Sequence, residues 1–279
     1  MRLPFLACLL VPVLITAEEL PSAALVLDLD AEKGVKLENG DRVAMWTNQV
    51  PGVAAKDFVK RDEGRKEPGS GRPGMMRNIT ALGGKSAIDF RQQELVCMDE
   101  DTFDGLTTGK GHTWLVVMSL HDQREGLKDV NSFFGNLRNG GKYEGLWGCL
   151  NDDNTPWYGT RNGITFGRFD VNNPQVLGPA KLETGKFHVL GGRMAAGTGT
   201  VPIELFVNAP TATAKGEAPV SEKANPSRMA VGQERDAIEH PGVESFDGRI
   251  ARLLIWERPL DDKELAAAFA TLTAYYSLK

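Results

Sequence analysis

Residues 147–158, WGCLNDDNTPWY, are where aromatic rings and short polar side chains coincide in this sequence. Trp157 and Tyr158 beside Asn151, Asp152, Asp153 and Asn154 have the composition of a sugar-stacking platform. Ring faces take up the apolar C–H faces of a sugar, and amides and carboxylates meet its hydroxyls. The same turn offers oxygen donors, so calcium is the one cofactor the sequence raises. A full calcium cage needs about 6–8 oxygens, and a single run of four polar residues has no recognisable ligand spacing. The structural alternative is a hairpin whose tryptophans are core and whose Asn/Asp run only makes the turn.

Other chemistry is sparse, and the sequence nominates no catalytic residue. Glycoside hydrolysis on a sheet surface calls for two carboxylates on alternate residues of one strand, which point to the same side. The nearest run is Asp99-Glu100-Asp101, placed before Thr102-Phe103-Asp104-Gly105 like a solvated turn. His112, His121, His188 and His240 lack the close pairing of a zinc site. His188 and Arg193 stand at odd spacing, on opposite faces of one strand, which does not suit a lyase. The run GSGRPG at 69–74 fits a dinucleotide-binding pattern, but no apolar strand precedes it and no helix follows. Gly84-Lys85-Ser86 imitates the end of a phosphate loop, yet Ile79 holds the position of the leading glycine.

The elements that would position such residues are mainly strands. Residues 1–17 are one arginine, then an apolar run ending at Ala17, the layout of a cleaved secretory signal. Localisation is therefore expected to be exported: extracellular, periplasmic or at the cell surface, with no membrane span after cleavage. The remaining 18–279 read as one domain. Short apolar or alternating runs at 25–29, 43–46, 87–90, 95–98, 113–120, 132–135, 145–150, 163–166, 187–193, 202–207, 228–231 and 248–256 are separated by Gly, Asn, Asp and Pro, which predicts two packed antiparallel sheets. Trp46, Trp114 and Trp256 fall inside such runs and are assigned to the core. Two segments, 59–78 and 209–226, read as surface connections. The last element is a helix: Asp261-Asp262-Lys263-Glu264 spells a capping box, and Leu265, Phe269, Leu272 and Tyr276 make one apolar face. A formal net charge of -5 opposes nucleic-acid backbones as partners. Cys97 and Cys149 remain after the leader, and the sequence leaves their pairing open.

Three segments resemble laminin-G-like domains of the concanavalin-A-like lectin/glucanase superfamily, in its bacterial secreted form. They are LVLDLDA at 25–31 with VAMWTNQ at 43–49, LGGKSAIDF at 82–90, and FDGRIARLLIWERPLDDKEL at 246–265. The resemblance implies an all-β jelly-roll sandwich of two curved antiparallel sheets, with the amphipathic helix on its outside. It departs at Val207-Asn208-Ala209, where the family pattern has Val-Asn-Gly, so a loop wider than a tight two-residue turn is expected there. Fold alone leaves several functions open. With the fold present and no one-strand carboxylate pair, the favoured reading is a non-catalytic binding domain for a glycan or a cell-surface protein. The alternatives are a polysaccharide-cleaving hydrolase or lyase, and a structural part of a cell-surface assembly.

Overall fold

A computed structural model of the chain describes residues 19–60, 71–123, 130–139, 142–165, 169–234 and 244–279. Residues 1–17, read from the sequence as a secretory signal, and His240 lie outside the described residues. In chain order the strands begin with β1 (Leu25–Asp30), β2 (Val35–Glu38), β3 (Arg42–Thr47), β4 (Asp57–Val59), β5 (Gly74–Ile79) and β6 (Lys85–Arg91). They continue with β7 (Leu95–Cys97), β8 (His112–Leu120), β9 (Asn131–Gly135), β10 (Arg138–Asn139), β11 (Tyr143–Leu150) and β12 (Pro156–Asn162). The last are β13 (Gln175–Leu177), β14 (Phe187–Met194), β15 (Thr200–Val207), β16 (Ala212–Pro219), β17 (Ala230–Val231) and β18 (Asp247–Trp256), followed by helix α1 (Asp262–Tyr275).

The ladder is antiparallel and turns over on itself into two facing sheets. The first sheet runs β16-β15-β14-β8-β18, after which β18 pairs with β6 along its first half and β1 along its second, and β5 pairs with β6. The second runs β2-β3-β4-β7-β17-β9-β11-β12-β13. Arg42 opposite Gly74 joins the two at one edge. The two packed antiparallel sheets are those the strand pattern predicts, and they form the jelly-roll sandwich that the resemblance implies.

Side chains alternate across each strand, and the alternation sorts three apolar layers. Between the sheets lie Leu27, Leu29, Val116, Met118, Leu190 and Ile203 from the first, against Trp46, Phe58, Phe134, Leu146 and Tyr158 from the second. On the outer face of the first sheet, Leu115, Val117, Phe206, Leu254 and Trp256 are covered by Leu265, Phe269, Leu272 and Tyr276 of α1. The helix thus lies across a sheet face and not at the end of the sandwich. Its capping box is complete: the Glu264 N–H donates to the Asp261 side chain at 2.8 Å, and the Asp261 N–H donates back to Glu264 at 3.1 Å. The third layer, on the outer face of the second sheet, holds Val130, Leu137, Trp147, Cys149 and Trp157.

Several elements differ from the sequence-based expectation. Residues 163–165 are not a strand. The preceding strand ends at Asn162, and Gly163 turns the chain with φ +71°. Gly74–Ile79, which overlaps the segment read as a connection, pairs with β6, and Met75 is its one buried side chain. Ala212–Pro219 is a strand too, and its alternating exposed and half-buried residues mark it as paired on one side with β15. Residues 208–211 join β15 to β16 as a four-residue loop, with Asn208 left-handed at φ +55°. Cys97 and Cys149 are both buried and are not joined in a disulfide. One is in the layer between the sheets and the other in the outer layer of the second sheet.

Candidate functional site

The six residues singled out from the sequence are not gathered into one surface. Asn151, Asp152, Asp153 and Asn154 form the turn between β11 and β12, closed by the Asn154 N–H to the Asn151 carbonyl at 2.9 Å. The Asp152 carboxylate accepts from the Asn131 amide at 3.0 Å. Asp153 accepts from the Thr155 N–H at 3.0 Å and pairs with Lys181 at 3.2 Å. Thr155, and then Lys181, hold the Asp153 carboxyl below the usual carboxylate range. The Asn154 amide donates to the Thr184 hydroxyl at 3.2 Å. With its carboxylates committed to the turn and its neighbours, the loop does not present a calcium cage. Among the described residues no group of three His, Cys, Asp or Glu side chains stands where it could hold a metal ion.

Trp157 and Tyr158 are successive residues of β12, so they point to opposite faces of the sheet, and each is 0% exposed. Tyr158 enters the layer between the sheets, 5.6 Å from the Trp114 ring centroid, and hydrogen-bonds His112 Nε2. The Leu106 carbonyl accepts from His112 Nδ1 at 2.6 Å. A carbonyl can only accept, so Nδ1 carries the proton and Nε2 accepts from the Tyr158 hydroxyl. Burial pushes the His112 imidazole down to about 4 and the Tyr158 phenol well up. The other described histidines are engaged as well: His121 with Asp89 at 2.7 Å, and His188 with the Asn208 amide at 3.0 Å. Asp99 accepts from the Thr102 N–H at 2.8 Å, in a turn as the sequence implied.

A site does assemble on the outer face of the second sheet, from residues the sequence spacing did not flag. The pairing of β11 with β12 sets Trp147 opposite Gly159 and Gly145 opposite Arg161. Because Tyr158 points inward, Trp157, Gly159 and Arg161 line the outer face. Gly159 is required here: a Cβ would stand 2.8 Å from a Trp157 ring carbon and 3.4 Å from one of Trp147, so the two indoles converge over it. They meet edge to face at 5.7 Å and 80°. Gly135 of β9, opposite Trp147, leaves room for the Glu234 backbone; a Cβ there would stand 2.5 Å from the Glu234 carbonyl oxygen.

Next to these indoles the Arg161 guanidinium lies 4.7 Å from the Tyr143 ring centroid, 5.1 Å from Trp147 and 5.9 Å from Phe169. Electron-rich ring faces attract the cation, by about 0.5–2 kcal/mol per contact, and Arg161 is only 4% exposed. Phe169 also meets Trp157 edge to face at 5.3 Å. It is held left-handed at φ +55° by the following turn, in which the Asp170 carboxylate accepts from the Asn172 and Asn173 N–H groups at 2.9 and 3.0 Å. Between these rings and Val130 and Leu137 opens a recess of about 100 Å³, whose remaining lining is Glu234 and Glu244. The Trp147 indole N–H faces no acceptor although its residue is 2% exposed. A buried donor left so is costly, of order 1–3 kcal/mol.

A larger groove, of about 650 Å³, lies on the opposite face of the molecule beside the start of α1. Apart from Glu217, its charges are matched within the groove: Arg193 pairs with Glu204 at 2.6 Å and Asp262 at 2.8 Å, and Lys215 with Glu204 at 2.9 Å. It has no ring in its lining. The outer-face recess is therefore the better candidate.

Fold and site together define a jelly-roll β-sandwich with an aromatic, charged recess on one sheet face. No protein-family profile matches the chain, and no curated protein matches it by sequence. Among solved structures it is similar to Trypanosoma rangeli sialidase in complex with sialic acid, with TM-score 0.54 and 13% identity, over 92% of this chain and 34% of that one. A mutant of the same sialidase displaying trans-sialidase activity gives TM-score 0.53 and 14% identity, over 94% and 35%. The carbohydrate-binding module CBM40 of the Ruminococcus gnavus IT-sialidase, bound to alpha2,3 sialyllactose, gives 0.49 and 14%, over 70% and 97%. The chain spans about a third of the length of the trypanosomal sialidases it matches. At these identities the likeness is one of fold.

Proposed function

We propose that the protein is an exported carbohydrate-binding protein of the laminin-G-like type, and that its glycan docks on the outer face of the second sheet. The observation that carries the reading is the recess itself: Arg161 caged by Tyr143, Trp147 and Phe169, with Glu234, Glu244 and an unpartnered Trp147 N–H in the same lining. Saccharide recognition needs that combination of ring faces, acceptors and fixed donors. At about 100 Å³ the recess takes an exocyclic group or a chain end, with the rest of the glycan across the sheet face. The apolar leader at 1–17 supports export. That sialidases share the fold agrees with a sugar ligand without carrying the argument.

Affinity electrophoresis of the folded protein through gels containing neutral and acidic polysaccharides tests the reading. At least one polysaccharide retards the wild type. Arg161→Lys keeps the charge but loses the planar donor fork and weakens retardation by about tenfold, or roughly 1.4 kcal/mol. Equal retardation of wild type and variant by the same polysaccharide removes the recess from the binding site.

A further inference from the structure

We infer that the protein pairs with a second copy of itself, antiparallel, along the open edge of β16. Among the described residues β16 is the longest strand paired on one side only, with β15. The Pro202 carbonyl accepts from the Ala195 N–H at 2.9 Å, so Pro202 and its alternate Glu204 turn their backbone groups towards β14. The intervening Val201, Ile203 and Leu205 bond towards β16, opposite Ala218, Gly216 and Ala214. Hydrogen-bonded and non-hydrogen-bonded pairs alternate in an antiparallel ladder, which leaves the N–H and C=O groups of Lys215 and Glu217 aimed away from β15. Such an edge is a template for another strand unless something blunts it. A lysine often does so, but Lys215 is drawn back over its own sheet by Glu204 at 2.9 Å.

The charges choose the partner. Lys215 and Glu217 are exposed on the outer face of the first sheet, in alternation with the half-buried Ala214 and Gly216. Across that face run Arg193 of β14, Glu204 of β15 and Lys215 of β16, paired in register and joined at 2.6 and 2.9 Å with alternating sign. Glu217, in the same groove, has no counterion among the described residues. A two-fold axis through Gly216 sets Lys215 of each copy opposite Glu217 of the other, and the row of alternating charge then continues into the second molecule. The same register makes these two residues a hydrogen-bonded pair, as their outward backbone groups require. Registers centred on Lys215 or on Glu217 instead set like charges face to face, which opposes pairing. The axis stands perpendicular to the sheet, so both α1 helices come to one side of the pair and both outer-face recesses to the other. On the glycan-docking reading proposed above, the pair is therefore bivalent towards a repeating polysaccharide.

Sedimentation equilibrium of the protein up to sub-millimolar concentration should show a reversible monomer–dimer equilibrium, and a monomer throughout overturns the pairing. Lys215→Glu and Glu217→Lys each set like charges opposite one another at both positions, and each should weaken dimerisation on the order of tenfold. Mixed in equal amounts, the two variants restore both opposite-charge pairs, so the mixture should dimerise more tightly than either variant alone. Dimerisation that neither variant weakens, or a mixture no tighter than its components, overturns this edge as the interface. Should a variant fail to fold by circular dichroism, amide hydrogen exchange of the wild type decides. The Lys215 and Glu217 amides should exchange more slowly above the dissociation constant than below it, and exchange independent of concentration overturns the proposal. None of these readouts involves a glycan, so the pairing stands or falls separately from the binding reading. In affinity electrophoresis both variants keep the recess and should be retarded at least about tenfold less than the wild type; equal retardation by a polysaccharide that binds overturns bivalence.

Discussion

Acidification should destabilise the sandwich through His112, by an amount that the site's geometry fixes. The imidazole is enclosed between the Leu106 carbonyl and the Tyr158 hydroxyl, and burial lowers it from an ordinary 6.5 to about 4. The folded state therefore holds the neutral ring, and between these two values the unfolded chain binds more protons. Stability from this group is fully present above pH 6.5 and is lost as pH falls towards 4. The gap, at roughly 1.4 kcal/mol per pH unit, amounts to about 3 kcal/mol. Asp104 works the other way. Burial, and then Asp101, raise its carboxyl to about 6, so its contribution is present at low pH and is lost as pH rises through 6. Urea unfolding followed by tryptophan fluorescence, on wild type and His112→Gln from pH 7 to 4, separates the two, because Asp104 is common to both proteins. The difference in unfolding free energy between them should shift by about 3 kcal/mol across that range, at constant m-value. Curves that stay parallel within about 0.5 kcal/mol would refute a buried neutral His112.

Three further outcomes follow from individual contacts. Gly159→Ala places a methyl group 2.8 Å from Trp157 and should cost about 1–3 kcal/mol in urea unfolding while weakening glycan retardation, because both indoles must move. Asp261→Ala removes the helix cap seen at 2.8 Å and should cost about 1 kcal/mol with no effect on retardation, since α1 lies on the other sheet. Reducing agent should leave the melting temperature unchanged, because Cys97 and Cys149 lie in different layers and are not joined in a disulfide; a drop of several degrees would contradict their placement.

The sequence announced the architecture more fully than the site, for physical reasons. Strands with a two-sided apolar environment contain uninterrupted apolar stretches, Trp114–Met118 in β8 and Leu253–Trp256 in β18, and the helix carries its cap and its stripe in plain order. Strands packed on one side only, such as Ala212–Pro219, have small residues alternating with polar ones and no large apolar side chain, and look like connections. Trp157 and Tyr158 stood out by composition, but adjacency in a strand sends one ring into each layer. The useful signal was the two-residue spacing of Trp157, Gly159 and Arg161, which becomes readable only once β12 is placed at Pro156–Asn162. Glu234 and Glu244 had no local signal, because the Gln233–Ser245 bridge that brings them to one recess is a tertiary feature.

Occupation of the outer-face recess by a glycan is tested most directly at the Trp147 indole N–H. The five tryptophans give distinct indole N–H signals in a nitrogen-correlated NMR spectrum, and Trp147→Phe identifies the one at the recess. Titration with a polysaccharide fragment that retards the protein should move the Trp147 signal as its proton gains an acceptor, while the core signals of Trp46, Trp114 and Trp256 stay in place. Saturable binding of that fragment with the Trp147 signal unmoved would contradict the account.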